Sequence, residues 1–212
     1  MPSSQRKLSI LVIGPHPDDL EYGCGGTLAR FAAGGHAINL MVMTKGEMGG
    51  EAGVRQREQE NSAKLLNAKL FWGRWMDTQV PLDKPIIQSV EGVVKKVEPD
   101  LILVPYYKDT HQDHRNVSQA AITATRYSRN VLFYEVPSSV NFNPNVFVDV
   151  GKFLDKKFAL LRAHRSQVYQ TKVAHLSIIE NARSAAIFRG MQNRVKYAEG
   201  FLPLRLALDF SL

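Results

Sequence analysis

Two short clusters gather the groups in this sequence that can bind a metal or move a proton: His16-Pro17-Asp18-Asp19 and His111-Gln112-Asp113-His114. Imidazole nitrogen and carboxylate oxygen are the ligands zinc accepts where cysteine is absent. His16 and Asp19 are three residues apart, as are His111 and His114, so one turn of helix-like backbone puts each pair on one side. Taken singly, each cluster has a plainer explanation. HPDD, with Pro17 near the first helical position and two aspartates behind it, also describes a helix N-terminus favoured by the helix dipole. HQDH also fits a polar loop with neutral histidines. Together they are more specific, because three ligands and one open position make a catalytic zinc site. Spacing alone does not separate Asp18 from Asp19, or His111 from His114.

Both clusters follow buried strands. Leu8–Gly14 (LSILVIG) is a continuous apolar run ending at Gly-Pro, the pattern of a parallel strand covered on both faces. A helix is expected over Gly25–Gly35, a strand over His36–Thr44, a glycine-rich loop over Lys45–Gly53 and a helix over Val54–Leu66. A short strand at Leu70–Trp72, a helix at Pro85–Val97 and a strand at Asp100–Pro105 come next. The His/Asp loop precedes a helix from about Asn116 to Ser128, a strand at Val131–Val136, and helices at Lys152–Ser166 and Ile178–Val195. The alternation predicts one α/β domain over residues 1–212, with a Rossmann-like, doubly wound, mostly parallel sheet. Sites on such sheets open at the carboxyl ends of strands, where both clusters fall.

The composition narrows the class. The 212 residues are 44% hydrophobic, enough for a sizeable core. No apolar run is long enough to span a bilayer, and the polar start Met1–Lys7 lacks the apolar region of a secretory signal. The single cysteine, Cys24, excludes an internal disulfide and a Cys-rich zinc site, and reads as buried filler. These features point to a reducing, cytoplasmic setting. The net charge of +7 is uneven: residues 1–150 hold 16 basic and 16 acidic residues, and residues 151–212 hold 11 and 4. A basic tail faces an anionic substrate, an acidic patch on another subunit, or simply solvent. No interleaving of basic and aromatic residues points to nucleic acid. A nucleotide-binding oxidoreductase is disfavoured because no G-x-G-x-x-G follows the first strand.

The stretches PHPDDLEYGCGGTLARF (15–31), TKGEMGG with VRQREQE (44–60) and PDLILVPYYKDTHQDHRNVSQAA (99–121) resemble the PIG-L/LmbE family of N-deacetylases. Weaker matches are LRAHRSQ (161–167) and YAEGF (197–201). That family includes N-acetylglucosaminyl-phosphatidylinositol deacetylase and the deacetylases of mycothiol and bacillithiol synthesis. The resemblance implies a zinc enzyme, with iron(II) accepted by the same ligands, that cleaves the N-acetyl amide of an N-acetylglucosamine-type sugar. By the same resemblance His16, Asp19 and His114 hold the metal and Asp18 is the base that activates water. His111 stabilises the oxyanion or protonates the leaving amine, and Asp113 orients a histidine. Arg55 lies near the substrate, Glu47 lines the pocket, and Tyr197 belongs to a C-terminal segment that approaches the site. The partner is a small N-acetylated amino sugar; homo-oligomers are common among relatives. With the basic tail, Arg55 points to an acidic or phosphate-bearing substrate. Another acyl or amide substrate is the alternative.

Overall fold

The computed structural model describes residues 6–207. Its elements run β1 (Ser9–Gly14), α1 (Asp19–Ala33), β2 (Ala37–Val42), α2 (Ala52–Leu65), β3 (Lys69–Trp72), α3 (Lys84–Val97), β4 (Leu101–Pro105) and α4 (Gln112–Ala124). Then come β5 (Val131–Tyr134), β6 (Val146–Asp149), α5 (Leu154–Ala163), α6 (Ile178–Gln192) and β7 (Ala198–Arg205). The sheet order is β3-β2-β1-β4-β5-β7-β6. Strands β1 to β5 are parallel; β7 runs antiparallel to both β5 and β6. This is the expected doubly wound, mostly parallel sheet. Its direction of winding reverses between β1 and β4, the switch point where such sheets bind ligands.

The apolar run of β1 alternates between two cores, since successive side chains point to opposite faces. Ile10 and Val12 pack with Leu28, Leu40, Phe158 and Phe201 on the face covered by α1, α5 and α6. Leu11 and Ile13 pack with Ile86, Val90, Val117 and Ala121 beneath α3 and α4. All four β1 side chains are fully buried, which anchors the strand's carboxyl end, where His16 follows. Among the described residues no helix is long and apolar enough to cross a membrane.

Four elements differ from expectation. Helix α1 begins at Asp19, not Gly25, and passes through Gly23-Cys24-Gly25-Gly26. Glycine costs a helix about 1 kcal/mol each, but close packing demands it here: a Cβ at Gly23 would run into the Tyr134 ring, and one at Gly26 would sit 2.7 Å from Val150 Cβ. Helix α4 begins at Gln112, not Asn116, so Asp113 and His114 ride on its first turn. Finally, the expected series has no strand after Val136, yet β6 and β7 complete the sheet. Strand β7 hides because Pro203 argues against an interior strand; the ladder accommodates it with a register shift at Val131/Leu132, opposite Arg205 and Pro203.

Candidate active site

Four loops at the carboxyl edge of the sheet meet over β1 and β4: residues 15–18 after β1, 43–51 after β2, 73–83 after β3 and 106–111 after β4. His16 Nδ1, Asp19 Oδ2 and His114 Nε2 form a nearly equilateral triangle. Its edges are 3.3 Å between the two histidines, 3.3 Å from His16 to Asp19 and 3.4 Å from His114 to Asp19. All three residues are buried. Tetrahedral bonds of 2.0–2.1 Å give a ligand-to-ligand edge of about 3.3 Å, so these atoms have the spacing that a zinc-like cation requires.

The outward nitrogens of both histidines face carboxylates. His16 Nε2 lies 2.9 Å from Asp77 Oδ1 and 3.1 Å from Asp113 Oδ2. His114 Nδ1 lies 3.3 Å from Asp109 Oδ2. A carboxylate behind a ligating imidazole fixes its tautomer and turns the other nitrogen's lone pair toward the metal. His16, Asp77, His111 and Asp113 also bring donor atoms close enough for a cation. That grouping would use His16 Nε2, which already faces two carboxylates, and Asp113, whose oxygens accept the N–H groups of Thr78 at 2.7 Å and Val80 at 3.3 Å. The triangle around His16 Nδ1 is the better fit. Burial alone would depress His16, yet hydrogen bonds to Asp113, Asp19 and Asp77 raise it well above its ordinary value. Burial would raise Asp19, yet His114 and His16 pull it down to about 2. The cluster is thus built to keep its carboxylates charged.

Asp18 stands beside the triangle at the N-cap of α1, with φ 88° and ψ −23°. A left-handed backbone at a non-glycine residue costs about 1–2 kcal/mol and marks a place where surrounding structure dictates conformation. Burial pushes the Asp18 carboxyl up to about 6, against the pull of the Arg55 guanidinium. His111 caps α4: its Nδ1 accepts the Asp113 N–H at 3.2 Å. Its proton therefore sits on Nε2. Burial, then the neighbouring His16 and His114, holds His111 below its ordinary value, so it is a neutral donor. A cavity of about 300 Å³ opens over these groups, bordered by Asp18, His111, Arg55, Asp77, Met48 and Gln167 among others.

Of the three residues expected on the substrate side, Arg55 alone borders the cavity. It is buried, and its guanidinium is committed to the chain: to Gly46 O at 2.7 Å, to Pro17 O at 2.8 Å and, at 3.6 Å, to Asp18. It ties the loops after β1 and β2 together rather than offering a free fork to an anion. Glu47 is not among the cavity-lining residues; its Oε1 accepts the Asp77 N–H at 3.1 Å and so holds the loop that carries Asp77. Tyr197 does not reach the cavity either. Its carbonyl accepts the Val150 N–H just before β7, near the far edge of the sheet, and its ring packs on the core. The basic tail is partly neutralised within the fold. Arg189 forms a two-pronged pair with Glu135 at 2.7 and 2.6 Å, and Lys157 meets Glu199 at 2.6 Å. Sequence reading missed Asp77 and Asp109; each lies in a loop after an expected strand, which was the available signal.

The sequence and the fold are matched by known proteins. The PIG-L model, described as GlcNAc-PI de-N-acetylase, matches residues 11–125, which carry every residue of the triangle. The chain belongs to the PIG-L family. It is 36% identical over 174 residues to an uncharacterized deacetylase, YaiS, of Escherichia coli K12, covering 77% of this chain and 94% of that protein. The crystal structure of N,N'-diacetylchitobiose deacetylase from Pyrococcus horikoshii, bound to an inhibitor, superposes with a TM-score of 0.81 at 26% identity, covering 96% of this chain and 87% of that one. A 4-oxalmesaconate hydratase of Pseudomonas putida is 25% identical, covering 91% of this chain and 87% of that protein. PIG-L relatives therefore include more than one chemistry, and function must be argued from the site.

Proposed function

We propose that the chain hydrolyses the N-acetyl amide of an N-acetylglucosamine-type sugar, releasing acetate and a free amine, with zinc held by His16, Asp19 and His114. Iron(II) suits the same nitrogen and oxygen donors. The observation that carries this reading is the triangle of donor atoms with a carboxyl, Asp18, and a neutral N–H donor, His111, at its open side. A cation bound there supplies acidification of water, whose pKa falls from 15.7 to about 7, and polarisation of the acyl oxygen. Asp18 takes the proton of the attacking water. From there it can return that proton to the departing amine. His111 Nε2–H donates to the oxyanion of the tetrahedral intermediate, a contact whose loss typically costs about 10²–10³ in rate. Because its Nδ1 accepts a backbone N–H, His111 serves as donor rather than proton carrier.

The commitment of Arg55 to main-chain carbonyls favours an uncharged sugar over an acidic conjugate. The similarity to diacetylchitobiose deacetylase supports the same choice. The test is metal analysis of the purified protein together with amine release from N-acetylglucosamine, N,N'-diacetylchitobiose and glucosaminides bearing acidic aglycones. Stoichiometric metal with amine release, fastest on the neutral sugars, is expected. A metal-loaded protein inert on the whole panel removes the deacetylase reading, and hydration of an unsaturated acid would replace it.

A further inference from the structure

Asp18 is held in its left-handed conformation by more than its own turn. As the N-cap residue its N–H has no partner inside α1. That N–H donates instead to Gln59 Oε1 at 3.3 Å, across a sequence separation of 41 residues. Gln59 is completely buried, and its other end, Nε2, donates to Glu21 Oε1 at 2.8 Å. The amide orientation is forced, because a main-chain N–H can only donate and a carboxylate can only accept. Glu21 Oε1 also accepts from Ser62 Oγ at 2.6 Å. Glu21 Oε2 has no hydrogen-bond partner, nor has either ring nitrogen of His164, and His164 Nε2 lies 3.4 Å from that oxygen. The two side chains, 0% and 1% exposed, face each other across that gap. His164 is fixed in turn by its own segment: the N–H and Oγ of Ser166 donate to Glu58 at 2.8 and 2.6 Å, and Gln167 Nε2 donates to Gly49 O at 3.2 Å.

We propose that Gln59, backed by Glu21 and His164, is a positioning residue: a buried strut that holds the Asp18 main chain so that its carboxyl lines the cavity beside the metal triangle. The inference rests on the reading of Asp18 as the base. It also ties that base to residues 164–167, which lie outside the family-matched stretch. Removing the Gln59 amide leaves the Asp18 N–H without an acceptor in the interior and lets its backbone relax to an ordinary conformation, which swings the carboxyl away. No side chain of the ligand triangle hydrogen-bonds Gln59, whose amide contacts are the Asp18 N–H and Glu21.

The test compares Gln59→Leu with wild type on N,N'-diacetylchitobiose, in protein of equal measured metal content. The expected result is a kcat lower by about 10- to 100-fold, the usual range for coupled neighbours, with KM and metal stoichiometry unchanged. If Gln59→Leu does not fold, Gln59→Met, which keeps the length and removes the hydrogen bonds, carries the test. The decisive arm is the double variant Asp18→Asn/Gln59→Leu. If Gln59 acts through Asp18, its removal costs nothing more once the base is gone. An unchanged kcat in the single variant, a loss explained by missing metal, or a full further loss in the double variant each overturns the strut. Failure of the base reading looks different: wild type inert, or Asp18→Asn as active as wild type.

Discussion

Helices α2 and α3 are both 14 residues long and both bury one stripe, yet they bury opposite chemistry. In α3 the stripe is Ile86 and Val90, fully buried, with Val93, Val94 and Val97 packed beside them. Asp83 caps it, accepting the Ile86 N–H at 3.2 Å, and Lys95 and Lys96 sit in its last turn. Every feature stabilises an amphipathic helix against a core. In α2 the same spacing presents Arg55, Glu58, Gln59 and Ser62, all buried. None of these can enter an interior without partners. Their partners are the loops of the site: Gly46 and Pro17 for Arg55, Ser166 for Glu58, Asp18 and Glu21 for Gln59, Glu21 for Ser62. Equal periodicity thus serves two ends. One helix closes a core, and the other fastens a catalytic edge.

The sharpest way to break this contrast is to remove what α2 holds. Asp18→Asn should keep metal and fold while losing about 10²–10⁴ in kcat, the usual worth of a general base. Metal content by elemental analysis and turnover by amine release check it. Undiminished turnover would leave α2 gripping a residue with no catalytic duty. Next in size is Arg55→Lys. A lysine cannot span Gly46 O and Pro17 O together, because it lacks the planar fork. One loop is then released, and kcat should fall by up to about 10- to 150-fold, the equivalent of a lost charge-assisted hydrogen bond of roughly 1.5–3 kcal/mol. A change in KM for acidic aglycones with kcat intact would instead restore Arg55 as a substrate-binding residue.

The same contrast explains what could be read from the sequence. The apolar stripe of α3 and the buried runs of β1 and β4 announce themselves by hydrophobicity, and they place both His/Asp clusters at one edge of the sheet. The ligand side chains are visible because they stand next to those runs. Asp77 and Asp109 are isolated carboxylates in loops. Their part depends on which imidazole nitrogen faces inward, and only the strand order β3-β2-β1-β4 brings Asp77 to His16. Gln59 and Ser62 read as the surface of a solvated helix, since burial of a polar stripe leaves no periodic trace of apolar residues. The position of Tyr197 is hard to read for a related reason: β7, with Gly200 and Pro203, does not look like a strand, so nothing in the sequence fixes its distance from the site.

On the α3 side the expectation reverses. Ile86→Ala should destabilise the fold by about 2–5 kcal/mol and leave kcat and KM at temperatures well below melting unchanged. Denaturant unfolding and steady-state kinetics separate the two. A loss of turnover without loss of stability would mean that α3, too, acts on the site.

The smallest effect concerns the buried Glu21 and His164 beneath the α2 stripe. Burial would lower His164, but Glu21 raises it above its ordinary 6.5; burial would raise Glu21, but His164 draws it below its ordinary 4.5. A histidine whose folded pKa is raised contributes stability that is full below 6.5 and is lost as pH rises through the folded value. A glutamate whose folded pKa is lowered contributes stability that is full above 4.5 and is lost as pH falls through the folded value. The pair therefore contributes fully between pH 4.5 and 6.5 and less on either side. His164→Gln removes the charge that rewards that window. The melting-temperature gap between wild type and variant should be widest near pH 5.5–6, about the middle of the window, and should shrink as pH rises beyond the folded pKa of His164. A gap that is flat from pH 5 to 9 would mean that His164 is held neutral and packs merely as a ring, leaving Gln59 and Ser62 to hold Glu21 alone.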